Sequence, residues 1–247
     1  MTKNELTRAG TTTQPLQLKT TSALIPKPEP TSTTTPSSTR TSTPSQNTPL
    51  TTSTTKSQSL SKTLTQTPLT NYLIKVMNYY NNLAKIYDKL YLREQIPKYL
   101  LILEKVKVRG RRVIDIGSGT GTLALIAAPV AKYVLCLDIS RNMLEIAKQK
   151  LRHHSNVDLL QATMTKIPIR KKTFNTLTAV TVMTIELMNY LDEVLNLVRE
   201  GAEIAITVPK STSNLAVEVA TKLLVHRYRV EVIDDDSKDY IIIARTS

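Results

Sequence analysis

The sequence predicts an α/β fold in which helices cover both faces of a seven-stranded, mostly parallel sheet with an antiparallel C-terminal edge hairpin. Two observations carry this prediction. After residue 70, short apolar runs alternate with stretches of helical periodicity, which is typical of right-handed βαβ units and a parallel sheet. Only the acidic turn 234–238 separates the last two apolar runs. It is too short for a crossover helix, so these two strands must form a hairpin and one edge strand must be antiparallel.

The first 70 residues differ sharply in composition from the rest. Between positions 31 and 70, 29 of 40 residues are Thr, Ser or Pro, and no acidic residue stands between Glu29 and Asp88. Such a segment cannot offset an ordering entropy of about 1–2 kcal/mol per residue. We therefore predict a disordered tail at 1–70, with a net charge of +5, and a folded domain at 71–247. A solvated linker is the favoured interpretation of the tail; a transit peptide and a modified Ser/Thr stalk are alternatives.

The composition excludes several classes of protein and site. A single cysteine, Cys136, excludes a disulfide framework and a multi-cysteine metal site, and three histidines make a His-rich metal site improbable, so no metal is expected. No apolar run reaches the roughly 18–20 residues of a membrane-spanning helix, and no secretory signal is indicated. We expect a cytoplasmic protein. The net charge of +13 favours attraction to polyanions, depending on where the charge lies.

The individual elements follow from periodicity. Apolar residues recur at helical spacing over 72–90, and a second helix is predicted at 94–107 with Pro97 in its first turn. Later helices are predicted at 120–130, 140–151, 190–199 and 214–225. Strands are predicted at 113–116, 133–137, 157–161, 176–182, 203–208, 227–233 and 240–244.

A glycine-rich loop follows the first strand and opens a helix. Gly117, Gly119 and Gly121 are three of only six glycines in the chain. Glycine permits positive φ and close approach of a ligand to the backbone, and ligands of open α/β sheets bind beyond the carboxyl ends of the strands. The loop therefore indicates a ligand site, although a tight turn that needs glycine for packing is an alternative.

An acidic residue stands at the end of the next strand, 21 residues after Gly117. Asp138 can accept both ribose hydroxyls of an adenosine group, whereas the following Ser140 is predicted to cap a helix. A cap or turn role is the alternative for Asp138. The nicotinamide fingerprint G-x-G-x-x-G is not matched, because the third glycine comes one residue early, at Gly121, and Asp115 precedes the loop.

Segments 113–121 (VIDIGSGTG) and 135–144 (LCLDISRNML) resemble the first two motifs of class I S-adenosylmethionine-dependent methyltransferases. Segment 157–168 and the pair Phe174-Asn175 resemble the third and fourth motifs more weakly. The resemblance covers about residues 80–245 and implies a Rossmann-like fold, S-adenosylmethionine as cofactor and methyl transfer as the activity.

The resemblance also implies a role for each matching residue. Asp115 would orient the loop and help to place the methionine ammonium group, Asp138 would hold the ribose, and Thr163 stands where the family often has an acidic residue that binds adenine. Asn175 replaces the usual Asp. The cofactor-binding residues implied are Asp115, Gly117, Gly119, Gly121, Asp138, Ile139, Met143, Thr163 and Met164.

The methyl acceptor is less constrained by the sequence. The Asn/Asp-Pro-Pro-Tyr motif of amino-group methyltransferases is lacking in 181–187, and Cys136, inside a strand, is interpreted as a buried hydrophobe rather than a nucleophile. A tyrosine-rich first helix with Tyr87-Asp88 resembles the entrance helix of small-molecule methyltransferases, so a small-molecule acceptor is favoured. An ordinary core-packing helix is the alternative. The candidate catalytic residues are Glu186, Thr184 and Tyr87.

Two basic clusters, 105–112 and 170–172, precede the first and fourth strands. Both are therefore expected at the amino ends of strands, opposite the cofactor, and are interpreted as solvated faces rather than a substrate groove. Two other functions stay open. One is an RNA or protein methyltransferase that docks through its basic surfaces, and the other is a non-catalytic nucleoside-binding module.

Overall fold

The computed structural model describes residues 67–246. The predicted tail, 1–70, lies outside the described residues except for its last four. Those four already belong to the first helix: Thr67 is its N-cap and its hydroxyl accepts the Thr70 N–H, while Pro68 occupies the first turn, where its missing N–H costs nothing.

Seven strands form one sheet in the order β3-β2-β1-β4-β5-β7-β6. Strands β1 to β5 are parallel to one another. Their carboxyl ends therefore share one edge of the sheet, the carboxyl edge, and their amino ends share the opposite amino edge. The strands are β1 Arg112–Ile116, β2 Tyr133–Asp138, β3 Val157–Gln161, β4 Phe174–Ala179, β5 Val198–Pro209, β6 Tyr228–Ile233 and β7 Asp239–Thr246.

The C-terminal hairpin confirms the predicted fold class. Strand β7 lies between β5 and β6 and pairs antiparallel with both, so β6 is the edge strand. The burial pattern explains this order, because Ile241 to Ala244 are completely buried whereas β6 is buried only in part. A continuous apolar run needs cover on both faces and a neighbour on both sides.

The first helix is longer than the sequence predicts. One helix, α1, runs from Pro68 to Lys105 with Pro97 inside it, so the prediction of two helices is wrong. Proline removes one helical hydrogen bond and costs about 3 kcal/mol in a helix interior. Burial on both sides of Pro97, at Gln95, Lys98 and Ile102, fixes the helix direction and outweighs that cost.

The remaining helices are α2 Thr122–Ala127, α3 Arg141–Leu151, α4 Leu191–Leu195 and α5 Ser213–Val225. The helix predicted at 190–199 is wrong in extent. A 3-10 helix, Ile185–Tyr190, precedes the short α4, and Val198 already pairs with Phe174 as the start of β5. Apolar clusters fill both faces of the sheet, one around Ile114, Leu177 and Ile204, the other around Val113, Ile102 and Ile243. In residues 67–246 no helix is long and apolar enough to cross a membrane.

Candidate functional site

The glycine loop lies at the carboxyl edge, between β1 and α2, where the sequence predicts it. The N–H groups of Gly117 and Ser118 both donate to the Leu137 carbonyl at the end of β2, at 2.7 and 3.0 Å. The loop is therefore fastened to the neighbouring strand by its own backbone. All three glycines have positive φ: 66° at Gly117, 53° at Gly119 and 74° at Gly121.

The three glycines are needed for different physical reasons. A Cβ at Gly117 would lie 2.2 Å from Val182 Cγ2, and a Cβ at Gly121 would lie 2.8 Å from Leu151 Cδ1 on α3. A Cβ at Gly119 would meet no heavy atom within 4 Å. Packing within the protein therefore explains two of the glycines, and only Gly119 presents backbone that a ligand can approach. The cofactor-binding roles of Gly117 and Gly121 stay predictions.

We expect Gly119→Ala to weaken cofactor binding far more than it weakens the fold. A Cβ at positive φ costs about 1–2 kcal/mol, and the methyl group would occupy the surface that we assign to the ligand. Gly201→Ala is a matched control, because Gly201 also has positive φ, 78°, and open space around its Cα. Urea unfolding should show similar losses for both variants, whereas calorimetry with S-adenosylhomocysteine should show weaker binding only for Gly119→Ala. Equal affinities would contradict the assignment.

Asp138, at the end of β2, joins the glycine loop to α3. Its Oδ2 accepts the Gly119 N–H and its Oδ1 accepts the Ser140 N–H, both at 2.8 Å. Burial raises the pKa of this carboxyl, and the two backbone N–H groups oppose that effect by favouring the charged form. Ser140 caps α3 as predicted, with its hydroxyl accepting the Met143 N–H. Asp138 thus has the turn role that the sequence left open, and carboxylate lone pairs remain for further donors.

Asp115 lies one strand away and is almost completely buried. It accepts the Thr178 hydroxyl at 2.7 Å and pairs in register with Cys136 on β2 and Thr178 on β4. Burial is the main reason that the pKa of Asp115 rises to about 7; the Thr178 hydroxyl lowers the pKa and the charge of Asp138 raises it. Near neutral pH this carboxyl is therefore poised between its two protonation states.

The raised pKa of Asp115 predicts a loss of stability as pH increases. Between the ordinary value of 3.8 and about 7, the folded protein holds a proton that the unfolded chain has released, so the free energy of unfolding falls across that window. Each pH unit within it is worth about 1.4 kcal/mol at most. Asp115→Asn keeps an acceptor for Thr178 without the titration. Urea unfolding at pH 5 and pH 7.5 should therefore show that the variant gains stability relative to the parent as pH rises; a constant difference would contradict this.

Helix α1 crosses the carboxyl edge and is fastened there at three points. Near its middle, Asn81 accepts the Ser140 hydroxyl at 2.8 Å. Two helical turns further on, Asp88 accepts the Thr120 hydroxyl of the glycine loop and forms an ion pair with Lys150 of α3 at 2.8 Å. These contacts hold α1 over the loop and the start of α3. Asp88 could be recognised in the sequence as part of the Tyr87-Asp88 pair, whereas Asn81 could not, because a lone Asn on a helix gives no signal of its own.

The third point lies near the start of α1. The Tyr72 hydroxyl shares a hydrogen bond of 2.9 Å with Thr184 Oγ1 in the segment after β4. The Thr184 hydroxyl is therefore already paired, which disfavours it as a catalytic group. Glu186 is exposed in the first turn of the 3-10 helix, where a carboxylate also suits the helix dipole.

Four tyrosines on α1 pack together. Tyr79, Tyr80, Tyr87 and Tyr91 form a chain of ring contacts with centroid separations of 4.9 to 6.3 Å. Burial is the main cause that raises the pKa of Tyr80 to about 12, and it also raises the pKa of Tyr87. Tyr87 is therefore uncharged at neutral pH and can donate a hydrogen bond but cannot act as a base.

An apolar cavity of about 390 Å³ lies between α1 and the ends of β2 and β3. The predicted adenine contacts Ile139 and Thr163 both line it, and the Thr163 hydroxyl is paired with Thr165 at 2.7 Å. Met143 and Met164 are buried and do not belong to this lining, and their cofactor-binding role stays a prediction. The other lining residues are Thr70, Leu73, Ile74, Met77, Gln161 and Ala162.

Two further residues lie away from the site. Cys136 is completely buried, and burial raises the pKa of its thiol, as expected for a packing residue rather than a nucleophile. Asn175 lies at the amino edge and accepts the Arg112 N–H at 3.2 Å, so its difference from the usual Asp does not touch the site. Within 67–246 no cluster of three His, Cys, Asp or Glu residues could hold a metal ion.

A buried polar network, which no sequence motif indicates, supports the segment after β4. Asp239 Oδ2 accepts the Lys98 ammonium at 2.6 Å and the hydroxyls of Thr181 and Thr207 at 3.0 and 3.1 Å. Thr181 has a φ of 57°, an unfavourable conformation for a β-branched residue, and its N–H donates to the Thr207 hydroxyl. The network thus holds a strained turn next to Val182, the residue that packs on Gly117.

The polar groups of the site fit an adenosine-type ligand. Ser118 Oγ is buried and has no hydrogen-bond partner among the described residues, Gly119 presents open backbone, and Asp138 retains acceptor capacity. An apolar cavity for a base lies beside them. A buried hydroxyl without a partner is unusual, so a ligand with its own hydrogen-bonding groups suits the glycine loop.

Comparison with known proteins gives a match to a family model described as a methyltransferase domain, over residues 113–201. A demethylmenaquinone methyltransferase of Clavibacter sepedonicus is 31% identical over 104 residues, which are 40% of this chain and 41% of that protein. The chain therefore spans about two fifths of the length of that relative.

Solved structures share the fold at low sequence identity. The DhpI–SAH complex has a TM-score of 0.58 at 18% identity and covers 71% of this chain and 97% of its own. The [4+2]-cyclase SpnF has a TM-score of 0.60 at 15% identity, with 70% and 96% covered. Because one of these neighbours is a cyclase, the fold alone does not decide the reaction.

Proposed function

We propose that the chain transfers a methyl group from S-adenosylmethionine to a small-molecule acceptor, because residues 113–201 match a family model described as a methyltransferase domain. The fold predicted from the sequence is confirmed. The same match supports the predicted family and the predicted cofactor. Three further points belong to the proposal: which residues hold the cofactor, what the methyl acceptor is, and that the protein is cytoplasmic.

The chain's own residues can hold the cofactor as follows. The carboxylate of Asp138 accepts from the ribose hydroxyls, the backbone at Gly119 lies along the ligand, and the cavity with Ile139 and Thr163 takes the base. Asp115 stabilises the ammonium group of the methionine portion. Burial raises the pKa of Asp115 to about 7, and the nearby ammonium cation favours the charged form of this carboxyl near neutral pH. When bound, S-adenosylmethionine supplies a methyl group that is already activated on a sulfonium.

Catalysis then consists mainly of alignment and exclusion of water. Val182, Thr184 and Glu186 follow β4 at the carboxyl edge, and Tyr72 of α1 is bound to Thr184. These residues form the side of the site that faces the acceptor. Of the three candidate catalytic residues, only Glu186 has a free, ionisable and exposed group in the described part of the chain, so it is the one that could accept a proton.

One observation carries the preference for a small acceptor. Helix α1 lies across the carboxyl edge and is fastened to the glycine loop, to α3 and to the segment after β4. A folded macromolecule cannot insert a base or a backbone segment past a helix held at three points, whereas a small molecule can enter beside it. The alternative is an RNA or protein acceptor that docks on the basic residues of the amino edge. That edge lies at the opposite end of the strands from the cofactor site.

The experiment is a methyl-transfer assay with S-adenosylmethionine labelled in its methyl group. The acceptors are a panel of small phenols, quinols and amines, with total RNA and a mixture of unfolded proteins as separate arms. We expect label only in the small-molecule arm and none with Asp138→Ala. Label in RNA or protein would overturn the small-acceptor proposal. Tight binding of NADH with no response to S-adenosylhomocysteine would overturn the cofactor assignment.

A further inference from the structure

The amino edge carries a concave cluster of cations for which methyl transfer has no use. A cavity of about 600 Å³ is lined by Arg112, Arg170, Lys171, Lys172, Thr173 and Arg199, so five of its six lining residues are basic and none is acidic. We call the five basic residues the basic edge. None of these five residues belongs to an ion pair in the described part of the chain, whereas Lys107, close to Arg112 in sequence, pairs with Glu203.

The backbone presents these cations in a fixed arrangement. The Lys172 N–H donates to the Asn196 carbonyl at 2.9 Å, and the Arg199 guanidinium donates to the Thr173 carbonyl at 3.1 Å. The turn 170–173 is thus tied to the start of β5. Lys172 has a φ of 53°, a conformation that glycine or asparagine adopts at lower cost. A lysine at that position gives the turn a charge at the expense of backbone strain, which points to a use for the charge.

Arg112 is held differently from its neighbours. Its guanidinium carbon lies 4.4 Å from the centre of the Tyr133 ring and 5.8 Å from that of Phe174. Contact with these rings restrains the guanidinium, and a guanidinium that stacks on an aromatic face keeps its in-plane N–H groups for other partners. A fixed guanidinium with free N–H groups is suited to bind phosphate oxygens in pairs.

We infer that the basic edge binds the backbone phosphates of a nucleic acid. Five cations around one cavity, with no carboxylate in its lining, repel one another unless an anion lies among them. The positive charge also continues beyond the cavity along the start of β1, which suits a polymer of phosphates better than a single nucleotide. The cations of this extension are Lys105, Lys107, Arg109, Arg111 and Lys132.

The bound strand is not the methyl acceptor. Strand β1 has five residues, so the basic edge lies about 17 Å from the glycine loop, at the opposite end of the strands. Binding there leaves the carboxyl edge open. The protein would thus be held on a nucleic acid while its methyltransferase site works on another molecule, and the inference does not depend on the proposed reaction.

The test measures binding of a fluorescent 20-nucleotide single-stranded RNA to the full chain by anisotropy between 0.05 and 0.3 M salt. The edge variant is Arg170→Gln/Lys171→Gln/Lys172→Gln. The control variant, Lys85→Gln/Lys89→Gln/Lys148→Gln, removes the same charge from exposed positions on α1 and α3. Loss of three phosphate contacts should lower the slope of log affinity against log salt by about two and the affinity at 0.1 M salt at least tenfold.

We expect these losses only in the edge variant, with S-adenosylmethionine affinity and melting temperature unchanged in both. Equal losses in the two variants would show attraction to net charge alone and would overturn the inference, as would undetectable binding by the parent chain. Polyglutamate of matched charge serves as competitor. If it displaces the RNA as well as unlabelled RNA does, the partner is an acidic protein and the inference is wrong.

Discussion

Asp138→Ala is expected to weaken binding of S-adenosylhomocysteine by about 10²- to 10⁴-fold. A hydrogen bond to a charged acceptor contributes about 1.5–3 kcal/mol, and two ribose hydroxyls can donate to this carboxylate. The same carboxylate also accepts the N–H groups of Gly119 and Ser140. The variant should therefore lose some stability as well, and calorimetry needs to be accompanied by urea unfolding.

A ligand analogue separates the two roles of Asp138. The parent protein should bind S-adenosylhomocysteine more tightly than its 2′-deoxy analogue, because the analogue lacks one donor to the carboxylate. Asp138→Ala should bind both ligands equally. If the variant still discriminates against the deoxy analogue, Asp138 supports the loop without touching the ribose, and its assignment to cofactor binding is wrong.

Lys98→Met should lower the free energy of unfolding by about 3–5 kcal/mol, the usual cost of leaving one partner of a buried ion pair uncompensated. The Lys98 and Asp239 side chains are both almost completely buried, at 1% and 4% exposure. Without the ammonium, the Asp239 carboxylate keeps only two hydroxyl donors, from Thr181 and Thr207. Urea unfolding at pH 7 measures the loss.

The double variant Lys98→Met/Asp239→Asn provides the control. It removes both charges and keeps an oxygen acceptor for the two threonines, so its cost should be clearly smaller than the sum of the single variants. Strict additivity would mean that the two groups do not stabilise each other in the folded protein. Lys107→Met should cost less than about 1 kcal/mol, because the Lys107 side chain is exposed although its partner Glu203 is largely buried.

The sheet and the loop that forms the site could be predicted from local sequence. The strands β1, β2 and β3 coincide with apolar runs to within one residue. For β1 and β2 the reason is burial, because buried parallel strands need continuous apolar side chains. The glycine loop and Asp138 were recognisable because spacing along the chain fixes their place at the carboxyl edge. Their roles in binding stay predictions.

What local sequence could not show depends on distant contacts. Proline normally ends a helix, but α1 continues through Pro97. The following residue, Lys98, forms a buried ion pair with Asp239, which lies 141 residues later in the chain. Val198 fits a helical pattern with Leu191, Val194 and Leu195, yet it joins β5 because Phe174 is there to pair with it. Likewise, the contact between Gly117 and Val182 joins two segments that no motif connects.

The position of the tyrosines on α1 makes the intrinsic fluorescence of this protein a signal for ligand binding. The chain has no tryptophan, and six of its ten tyrosines belong to α1. Ultraviolet emission from the unlabelled protein is therefore dominated by the helix that covers the carboxyl edge. A ligand that enters beside α1 changes the surroundings of the rings from Tyr79 to Tyr91, so stopped-flow fluorescence can time its arrival without a dye or a substitution.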